Sequence, residues 1–292
     1  MRYEGAVIRP PSEADSLILQ VTYGCSNSTC DFCGTYLGKP FKVRPHAEVV
    51  EDLRNLPERY KKECSRVFLA DGDALVLPHK HLMELLALLH ETFPGLERIT
   101  SYANAQNLLK KTVEELRELR THGLEMLYLG LESGDDETLA AIHKGVTVAQ
   151  QIQACRKAHE AGLALSVTCI LGLAGVERSL EHATATGRAL SAIDPEYIGV
   201  LSLILTPGTP ITGRVQRGEL VLPDPLGMLH ELREMIAATN VTHAVFRSNH
   251  ASNYLPVAGT LPRDKERMLA ALDAVLSHPD QARLRPESWR AL

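Results

Sequence analysis

Short apolar runs alternate with longer segments of helical periodicity along most of this chain. Consecutive apolar residues bounded by turn formers predict buried strands, and apolar residues three or four positions apart predict helices between them. The alternation has the spacing of right-handed β/α units, which predicts a parallel sheet. The predicted strands are 17–21, 66–70, 98–102, 124–130, 163–171 and 196–205, and the predicted helices between them are 44–61, 79–92, 112–122, 147–161 and 177–192.

The number of these units limits the fold class. Six units fall short of the eight of a full barrel, so a partial barrel and a doubly wound open sheet both fit the pattern. Further along, we expect helices at 225–239 and 263–277 and a seventh strand at 241–246. Asp135 or Asp136 is expected to cap a helix that follows the fourth strand.

Composition and charge narrow the class of protein. Hydrophobic residues make up 45% of the 292 residues, which is enough for a sizeable core. The net charge of −5 argues against a general polyanion binder, so nucleic acid is not an expected partner. We expect a cytoplasmic protein with no membrane partner, because the sequence contains neither a membrane-length apolar stretch nor a signal-peptide core.

Three of the six cysteines lie close together, directly after the first predicted strand. Cys25, Cys30 and Cys33 have the spacing C-x4-C-x2-C. This spacing fits an iron–sulfur cluster with one open iron, and it also fits a zinc site completed by a distant ligand such as His46. Simple packing of the three side chains is less consistent with such a polar loop. The clustering also fits a reducing compartment better than a disulfide framework.

Polar or glycine-rich segments follow the other predicted strands as well. In a parallel β/α fold the carboxyl ends of the strands meet at one face, where they form a ligand site. Taken alone, each segment is an ordinary turn or a helix entry. Together they suit a ligand with an amino group, a carboxylate, a ribose and a purine. The segments are Asp71-Gly72-Asp73, Ser101 to Gln106, Glu132-Ser133-Gly134 and Gly172 to Gly175.

Four segments in this order resemble the radical S-adenosylmethionine (radical SAM) superfamily. They are CSNSTCDFC, LADGDAL, GLESGDDETL and ILGLAG, and they are most similar to the coproporphyrinogen oxidase-like and methylthiotransferase-like catalytic domains. The resemblance implies an α/β fold, a partial (β/α)6 TIM-like barrel with a C-terminal helical extension. The resemblance covers about residues 16–205, and with the pattern on either side of it we expect a lead-in at 1–15, a radical SAM core at 16–205 and an extension at 206–292 that packs on the core.

The resemblance also implies a reaction and its cofactors. A [4Fe–4S] cluster reductively cleaves S-adenosylmethionine to a 5′-deoxyadenosyl radical, which abstracts hydrogen from a substrate. An electron donor such as flavodoxin or ferredoxin is then an expected partner. The first cysteine gap is one residue longer than the commonest C-x3-C-x2-C spacing of the superfamily.

The resemblance assigns roles residue by residue. Cys25, Cys30 and Cys33 match the cluster ligands, and the methionyl amino and carboxylate groups chelate the fourth iron. The implied cofactor contacts are Phe32 near the adenine, Asp71, Gly72 and Asp73 at the methionyl amino group, Glu132 and Ser133 as the polar pair after the fourth strand, Lys144 at the methionyl carboxylate, and Ile170 and Gly172 near the adenine.

The substrate is not identified by these motifs. Tyr102 is a candidate hydrogen donor, and His250 and Tyr254 are candidate substrate contacts, although packing or a surface loop explains them equally well. The negative charge favours a small-molecule substrate. Two other classes stay open, namely an iron–sulfur sensor or electron carrier without cleavage of S-adenosylmethionine, and a zinc-stabilised β/α protein. Neither needs the polar groups at the strand ends.

Overall fold

A computed structural model describes residues 1–291 of the chain. These residues form ten strands and eleven α-helices. The strands are β1 (Leu17–Gln20), β2 (Thr22–Tyr23), β3 (Lys42–Val43), β4 (Arg66–Ala70), β5 (Arg98–Ala103), β6 (Leu124–Glu132), β7 (Ala164–Leu171), β8 (Tyr197–Ser202), β9 (Ala244–Ser248) and β10 (Val257–Leu261). The helices are α1 (His46–Arg54), α2 (Glu58–Glu63), α3 (His79–Thr92), α4 (Ala105–Lys110), α5 (Val113–Thr121), α6 (Asp136–Ala141), α7 (Val148–Glu160), α8 (Ser179–Ile193), α9 (Pro210–Gln216), α10 (Pro225–Ala238) and α11 (Lys265–Ser277).

Eight of the strands form a mostly parallel sheet in the order β1-β4-β5-β6-β7-β8-β9-β10, and β2 and β3 form a separate hairpin. The chain divides into two compact units. The first unit comprises residues 1–28, 35–129 and 153–165, and the second comprises 29–34, 130–152 and the chain from Ser166 onward. The prediction of an α/β fold with a parallel sheet is confirmed, whereas the predicted division at 15 and 205 stays a prediction.

In the first unit, β1 pairs in parallel with β4, and β4 pairs in parallel with β5. In the second unit, β7, β8 and β9 are parallel and β10 runs antiparallel to β9. Burial alternates along β7, where Leu165, Val167, Cys169 and Leu171 are buried and the residues between them are partly exposed. This period of two shows that the two faces of the strand have different surroundings.

Local sequence signals account for several element ends. The side chain of Asp135 accepts a hydrogen bond from the Thr138 amide, which confirms the predicted cap of α6. Thr112 and Glu115 form a reciprocal capping box at the start of α5. The single helix predicted at 44–61 is wrong, because α1 ends at Arg54 and Pro57 precedes α2.

The predicted C-terminal helices are confirmed as α10 and α11, and the seventh strand is β9. Strand β10 was not predicted, since its sequence, VAGTL, follows a proline in a stretch of turn-forming residues. It forms because β9 offers an antiparallel partner over five residue pairs. No helix within residues 1–291 combines the length and apolar character needed to cross a bilayer.

A buried carboxylate ties the lead-in segment to the first unit. Glu13 is fully buried at the end of a short 3-10 turn, Pro11–Glu13. Its carboxylate accepts hydrogen bonds from Tyr128 at 2.5 Å and from Arg98 at 2.7 Å, and it lies 3.6 Å from Arg66. Since Arg66 and Arg98 begin β4 and β5, this interaction fixes the amino ends of two strands.

We expect Glu13→Ala to lower the free energy of unfolding by about 2 kcal/mol, because it removes a buried acceptor that these groups share. Urea denaturation followed by circular dichroism measures this change. The control is Glu91→Ala, an exposed position on α3, which we expect to change stability by less than about 0.5 kcal/mol. Equal stabilities of the two variants would contradict the prediction.

Candidate functional site

The end of β4 carries a carboxylate that organises the residues around the first cysteine. Asp71 is fully buried and follows β4 directly. It accepts hydrogen bonds from the Tyr36 hydroxyl at 2.9 Å, the Lys39 ammonium at 2.6 Å, the Gly24 amide at 3.3 Å and the Gln20 side chain at 3.2 Å. Residues before Cys25 and residues after the cysteine loop are therefore held by one group.

Cys25 packs directly against Gly72, the residue that follows Asp71 in the turn after β4. Its Sγ lies 3.8 Å from the Gly72 carbonyl oxygen, and the Gly72 amide donates to the Gly24 carbonyl oxygen at 3.2 Å. A Cβ atom at position 72 would lie 2.7 Å from the Cys25 Cβ and 2.7 Å from the Tyr36 ring. Only glycine permits this close approach.

Asp73 has one carboxylate oxygen that is hydrogen-bonded within the protein and one that is not. Its Oδ2 accepts hydrogen bonds from the Ser26 hydroxyl at 2.8 Å and from the Asn107 side chain. Its Oδ1 has no hydrogen-bond partner among residues 1–291, although the residue is completely buried. Burial raises the pKa of Asp73 to about 6. A buried carboxylate with an open oxygen suits a cationic ligand group.

In the second unit, the loop 29–34 carries the other two predicted ligands. The Asp31 amide donates to the Ile142 carbonyl oxygen at 3.0 Å, and the Ile211 amide donates to the Asp31 carbonyl oxygen at 3.2 Å. The Asp31 side chain also bonds His143 Nδ1 at 2.9 Å. Asp31 is thus held through its amide, its carbonyl oxygen and its side chain. Because it lies between Cys30 and Cys33, these contacts fix the loop that carries both cysteines.

Burial has a chemical effect on Cys30. It raises the pKa of the Cys30 thiol to about 11, against the smaller opposing effect of Lys144. Such a thiol stays protonated at neutral pH until a metal ion displaces the proton. Gly34 ends the loop where a Cβ atom would come within 2.8 Å of the Thr206 Cβ, so this position also requires glycine.

The end of β6 places two opposite charges together. Glu132 adopts the left-handed conformation with φ of 63°, which is strained for a residue with a side chain. Its carboxylate accepts a hydrogen bond from Lys144 at 2.9 Å, and both side chains are about 10% exposed. A Cβ atom at Gly130 would collide with the Glu132 carboxylate, which explains the glycine there.

Ser133 and Gly172 are bound to a pair of buried polar residues. The Ser133 hydroxyl lies 2.7 Å from His182 Nδ1, and the Gly172 amide donates to Glu231 Oε1 at 2.7 Å. His182 and Glu231 are fully buried, with Nε2 and Oε1 separated by 3.3 Å. The Ser133 side chain is therefore engaged with the protein itself rather than left open.

Phe32 and Ile170, both predicted near the adenine, contact the same apolar cluster of the second unit. The cluster contains the buried side chains of Leu139, Ile142, Leu173, Leu203 and Ile211. Gly172 follows at φ of 85°, a conformation that glycine adopts without cost.

Tyr102, one of the three candidate catalytic residues, lies in an aromatic cluster of the first unit. Its ring centroid is 4.9 Å from that of Phe68 and 6.2 Å from that of Tyr128. Burial raises the pKa of the Tyr102 hydroxyl, so it stays protonated. Packing explains the position of Tyr102, and its role as a hydrogen donor stays a prediction.

The other two candidates belong to the segment after β9. The Tyr254 hydroxyl donates to Glu287 at 2.5 Å and accepts from Arg290 at 2.6 Å. His250 is half-buried, and its Nδ1 lies 3.0 Å from the Ser252 hydroxyl. Both side chains are thus bound within the C-terminal part of the chain, and a substrate contact by either stays a prediction.

No group of three or more His, Cys, Asp or Glu side chains within the described part of the chain is placed to hold a metal ion. The joint ligation by Cys25, Cys30 and Cys33 therefore stays a prediction. Several residues around the predicted contacts escaped prediction from sequence, namely Gln20, Ser26, Tyr36, Lys39, Asn107, His182 and Glu231. For His182 the signal was a polar residue on the buried face of α8, whereas Tyr36 and Lys39 carry no recognisable pattern.

The model of one protein family, the radical SAM superfamily, matches residues 19–183. This is more than half of the chain, and the chain therefore belongs to the radical SAM superfamily. Members of this superfamily use a [4Fe–4S] cluster and S-adenosylmethionine. The chain offers a suitable donor set, because Cys25, Cys30 and Cys33 form no disulfide and the Asp73 carboxylate has an open oxygen.

Individual relatives differ in what their names describe. The chain is 23% identical over 219 residues to the heme chaperone HemW of Bacillus subtilis, covering 74% of this chain and 57% of that protein. It is 31% identical over 174 residues to a tRNA-2-methylthio-N(6)-dimethylallyladenosine synthase of Herpetosiphon aurantiacus, covering 56% of this chain and 38% of that protein. The chain thus spans less than two thirds of either relative.

Among solved structures, coproporphyrinogen III oxidase (HemN) from Escherichia coli superposes with a TM-score of 0.56 at 18% identity. The match covers 76% of this chain and 51% of that one. This likeness concerns the fold, and it confirms the partial barrel over the doubly wound alternative.

We expect Gly72→Ala to displace Cys25, because the added methyl group collides with the cysteine and with the Tyr36 ring. Iron bound after anaerobic reconstitution is then roughly halved or worse. Iron and sulfide analysis of the purified protein measures the loss. The control is Gly95→Ala, where the nearest atom to a new Cβ is the Lys62 carbonyl oxygen at 3.5 Å. Full iron content in Gly72→Ala would contradict this account of the turn.

Proposed function

We propose that this protein is a radical SAM enzyme that reductively cleaves S-adenosylmethionine and uses the resulting radical to abstract hydrogen from a small-molecule substrate. One observation carries the proposal. The turn after β4 binds the segments on either side of the cysteine loop through Asp71 and, two residues later, offers an open, buried carboxylate oxygen on Asp73. Neither a zinc-stabilised protein nor an electron carrier needs that second carboxylate.

In this proposal Cys25, Cys30 and Cys33 hold the [4Fe–4S] cluster through their thiolates. When bound, the cluster supplies the electron that cleaves S-adenosylmethionine to methionine and a 5′-deoxyadenosyl radical. The chain contributes the position of the thiols, and the partial burial of Cys30 limits the access of water to it.

The cofactor contacts follow from charge and shape. Asp73 accepts from the methionyl ammonium, and the open Oδ1 atom supports this role. Glu132 and Lys144 together offer the two charges that complement a zwitterionic amino acid. Phe32 and Ile170 give apolar contacts for the adenine, while Gly172 lets the backbone approach it. Asp71, Gly72 and Ser133 support these contacts from within the protein.

We expect reduction by flavodoxin or ferredoxin in the cytoplasm, a reducing compartment in which a cluster with an open iron is protected from oxidative breakdown. A small-molecule substrate suits the net charge of −5. The names of the relatives differ too widely to indicate a substrate, and we propose that the reaction is an oxidoreductase step.

The test is anaerobic reconstitution with iron and sulfide, followed by S-adenosylmethionine and dithionite, with 5′-deoxyadenosine as the assayed product. We expect formation that is lost in Cys25→Ala, Cys30→Ala and Cys33→Ala and retained in Cys64→Ala, a buried cysteine outside the loop. Uptake of zinc in place of iron would contradict the proposal. A stable cluster that never yields 5′-deoxyadenosine, even with candidate substrates present, would favour the sensor class.

Asp73→Asn tests the contribution of the Asp73 charge to the binding of S-adenosylmethionine without removing its hydrogen bonds within the protein. The variant keeps an acceptor for Ser26 and Asn107 but loses the negative charge, so we expect the dissociation constant for S-adenosylmethionine to rise by roughly tenfold to a hundredfold. Equilibrium dialysis with the reconstituted protein measures this constant. The control is Asp15→Asn, an exposed aspartate of the lead-in, which we expect to bind normally.

The same variant has a predicted pH signature. The pKa of Asp73 rises from 3.8 to about 6 in the folded protein, so folding is penalised once the side chain ionises. This penalty is absent below pH 4, grows between pH 4 and 6 and stays constant above. We expect apo Asp73→Asn to be more thermostable than wild type at pH 8, with the difference shrinking towards pH 5. A variant that is less stable at pH 8 would contradict the prediction.

A further inference from the structure

His182 and Glu231 form a buried pair that the reaction itself does not require. They lie on α8 and α10, and both side chains are fully buried. Buried polar groups in a helix interface reduce stability unless they make specific bonds. The bonds that this pair makes lead to two segments that carry proposed cofactor contacts, Ser133 at the end of β6 and Gly172 at the end of β7.

The Ser133 hydroxyl lies between the start of α6 and His182. The Asp135 amide donates to Ser133 Oγ at 3.0 Å, and His182 Nδ1 is hydrogen-bonded to the same oxygen at 2.7 Å. His182 Nε2 lies 3.3 Å from Glu231 Oε1, although it makes no hydrogen bond among residues 1–291. The two side chains therefore reach the proposed cofactor contacts through separate hydrogen bonds, His182 through Ser133 and Glu231 through Gly172.

Glu231 in turn accepts from two further groups. Its Oε1 accepts the Gly172 amide at 2.7 Å, and its Oε2 accepts the Ser179 hydroxyl at 2.5 Å. The Gly172 position has φ of 85°, and a side chain there would collide with Met228, also on α10. Helix α10 thus fixes the turn after β7 both by a charged hydrogen bond and by steric contact.

The Glu132-Ser133 corner at the end of β6, to which His182 is hydrogen-bonded, has a strained backbone. Glu132, the neighbour of Ser133, adopts a left-handed backbone conformation, and such conformations persist only where the surrounding structure enforces them. The Lys144 bond restrains the Glu132 side chain, and the His182 bond restrains the next residue. Removing the His182 bond leaves this backbone with one restraint fewer.

We propose that His182 and Glu231 are positioning residues that set the Glu132-Ser133 corner and the Gly172 turn for binding S-adenosylmethionine. The pair touches neither the cluster ligands nor the reacting atoms, and it acts through Ser133 and Gly172. This inference rests on the proposed function, because it concerns the same cofactor site.

The test compares His182→Leu, which cannot form a hydrogen bond with Ser133, with His182→Asn, whose amide can, and with Glu231→Gln. The control is Ser191→Ala, which removes another hydroxyl on α8 that contacts α10 through the Ala238 carbonyl oxygen at 3.4 Å. Two quantities are measured. One is the dissociation constant for S-adenosylmethionine of the reconstituted protein, and the other is hydrogen–deuterium exchange of the apo-protein over 132–136 and 171–175.

We expect His182→Leu and Glu231→Gln to keep full iron content and to raise the dissociation constant about tenfold. In the apo-protein, exchange speeds up over 132–136 in His182→Leu and over 171–175 in Glu231→Gln. His182→Asn restores affinity to within about threefold of wild type, and Ser191→Ala leaves it unchanged. In turnover, the KM for S-adenosylmethionine rises while kcat changes little.

Three outcomes would overturn the inference. Wild-type affinity in His182→Leu and Glu231→Gln would show that the pair does not position the site. Equal losses in His182→Asn and His182→Leu, with equally lowered melting temperatures, would show that the pair serves stability alone. If His182→Leu does not fold, Glu231→Gln and His182→Asn carry the test. A wild-type protein that binds no S-adenosylmethionine would instead refute the proposed function, and the inference with it.

Discussion

The arrangement around the first cysteine depends on one ionic interaction, that of the buried Asp71 carboxylate with Lys39. At 2.6 Å it neutralises a charge that would otherwise be costly in a fully buried position, and it lets the same carboxylate accept three neutral donors. Because those donors lie on both flanks of the cysteine loop, the strand end and the loop flanks form one hydrogen-bonded structure. A flexible loop with three thiols would bind metals with little selectivity, whereas flanks held at fixed points restrict the geometries available.

Asp71 and Asp73 are two residues apart, yet they have opposite roles because of their hydrogen-bond partners. Asp71 is saturated by the chain itself, and its charge is balanced by an ammonium group. Asp73 is fully buried and its hydrogen-bond partners are all neutral, so burial destabilises its ionised form and raises its pKa. The triplet Asp-Gly-Asp thus joins a carboxylate whose charge is balanced within the protein to one whose charge is not. In the proposed function, the methionyl ammonium group would offset the cost of the buried Asp73 charge.

Features of the fold that depend on neighbouring residues could be predicted from the sequence, whereas features that depend on residues far apart along the chain could not. Strand β4 and helix α3 agree with prediction at both ends, since each is a continuous pattern closed by a clear breaker. The Asp135 cap was predicted because capping chemistry acts within three residues. Strand β10 was not predicted, because it exists only through its partner β9. The residues that bind Asp71 and Gly172 were missed for the same reason: Lys39 is 32 residues from Asp71, and Glu231 is 59 residues from Gly172.

The hydrogen bonds and ion pairs of Glu13 have a consequence for the design of truncated fragments of this protein. The match to the superfamily begins at residue 19, so a truncation guided by that match would start after the 3-10 turn. Such a fragment would retain Arg66, Arg98 and Tyr128 but lack the carboxylate that all three contact. A fragment that begins at residue 19 is therefore expected to be less stable than one that includes Glu13. The limits of a sequence match do not by themselves give the limits of a stable fragment.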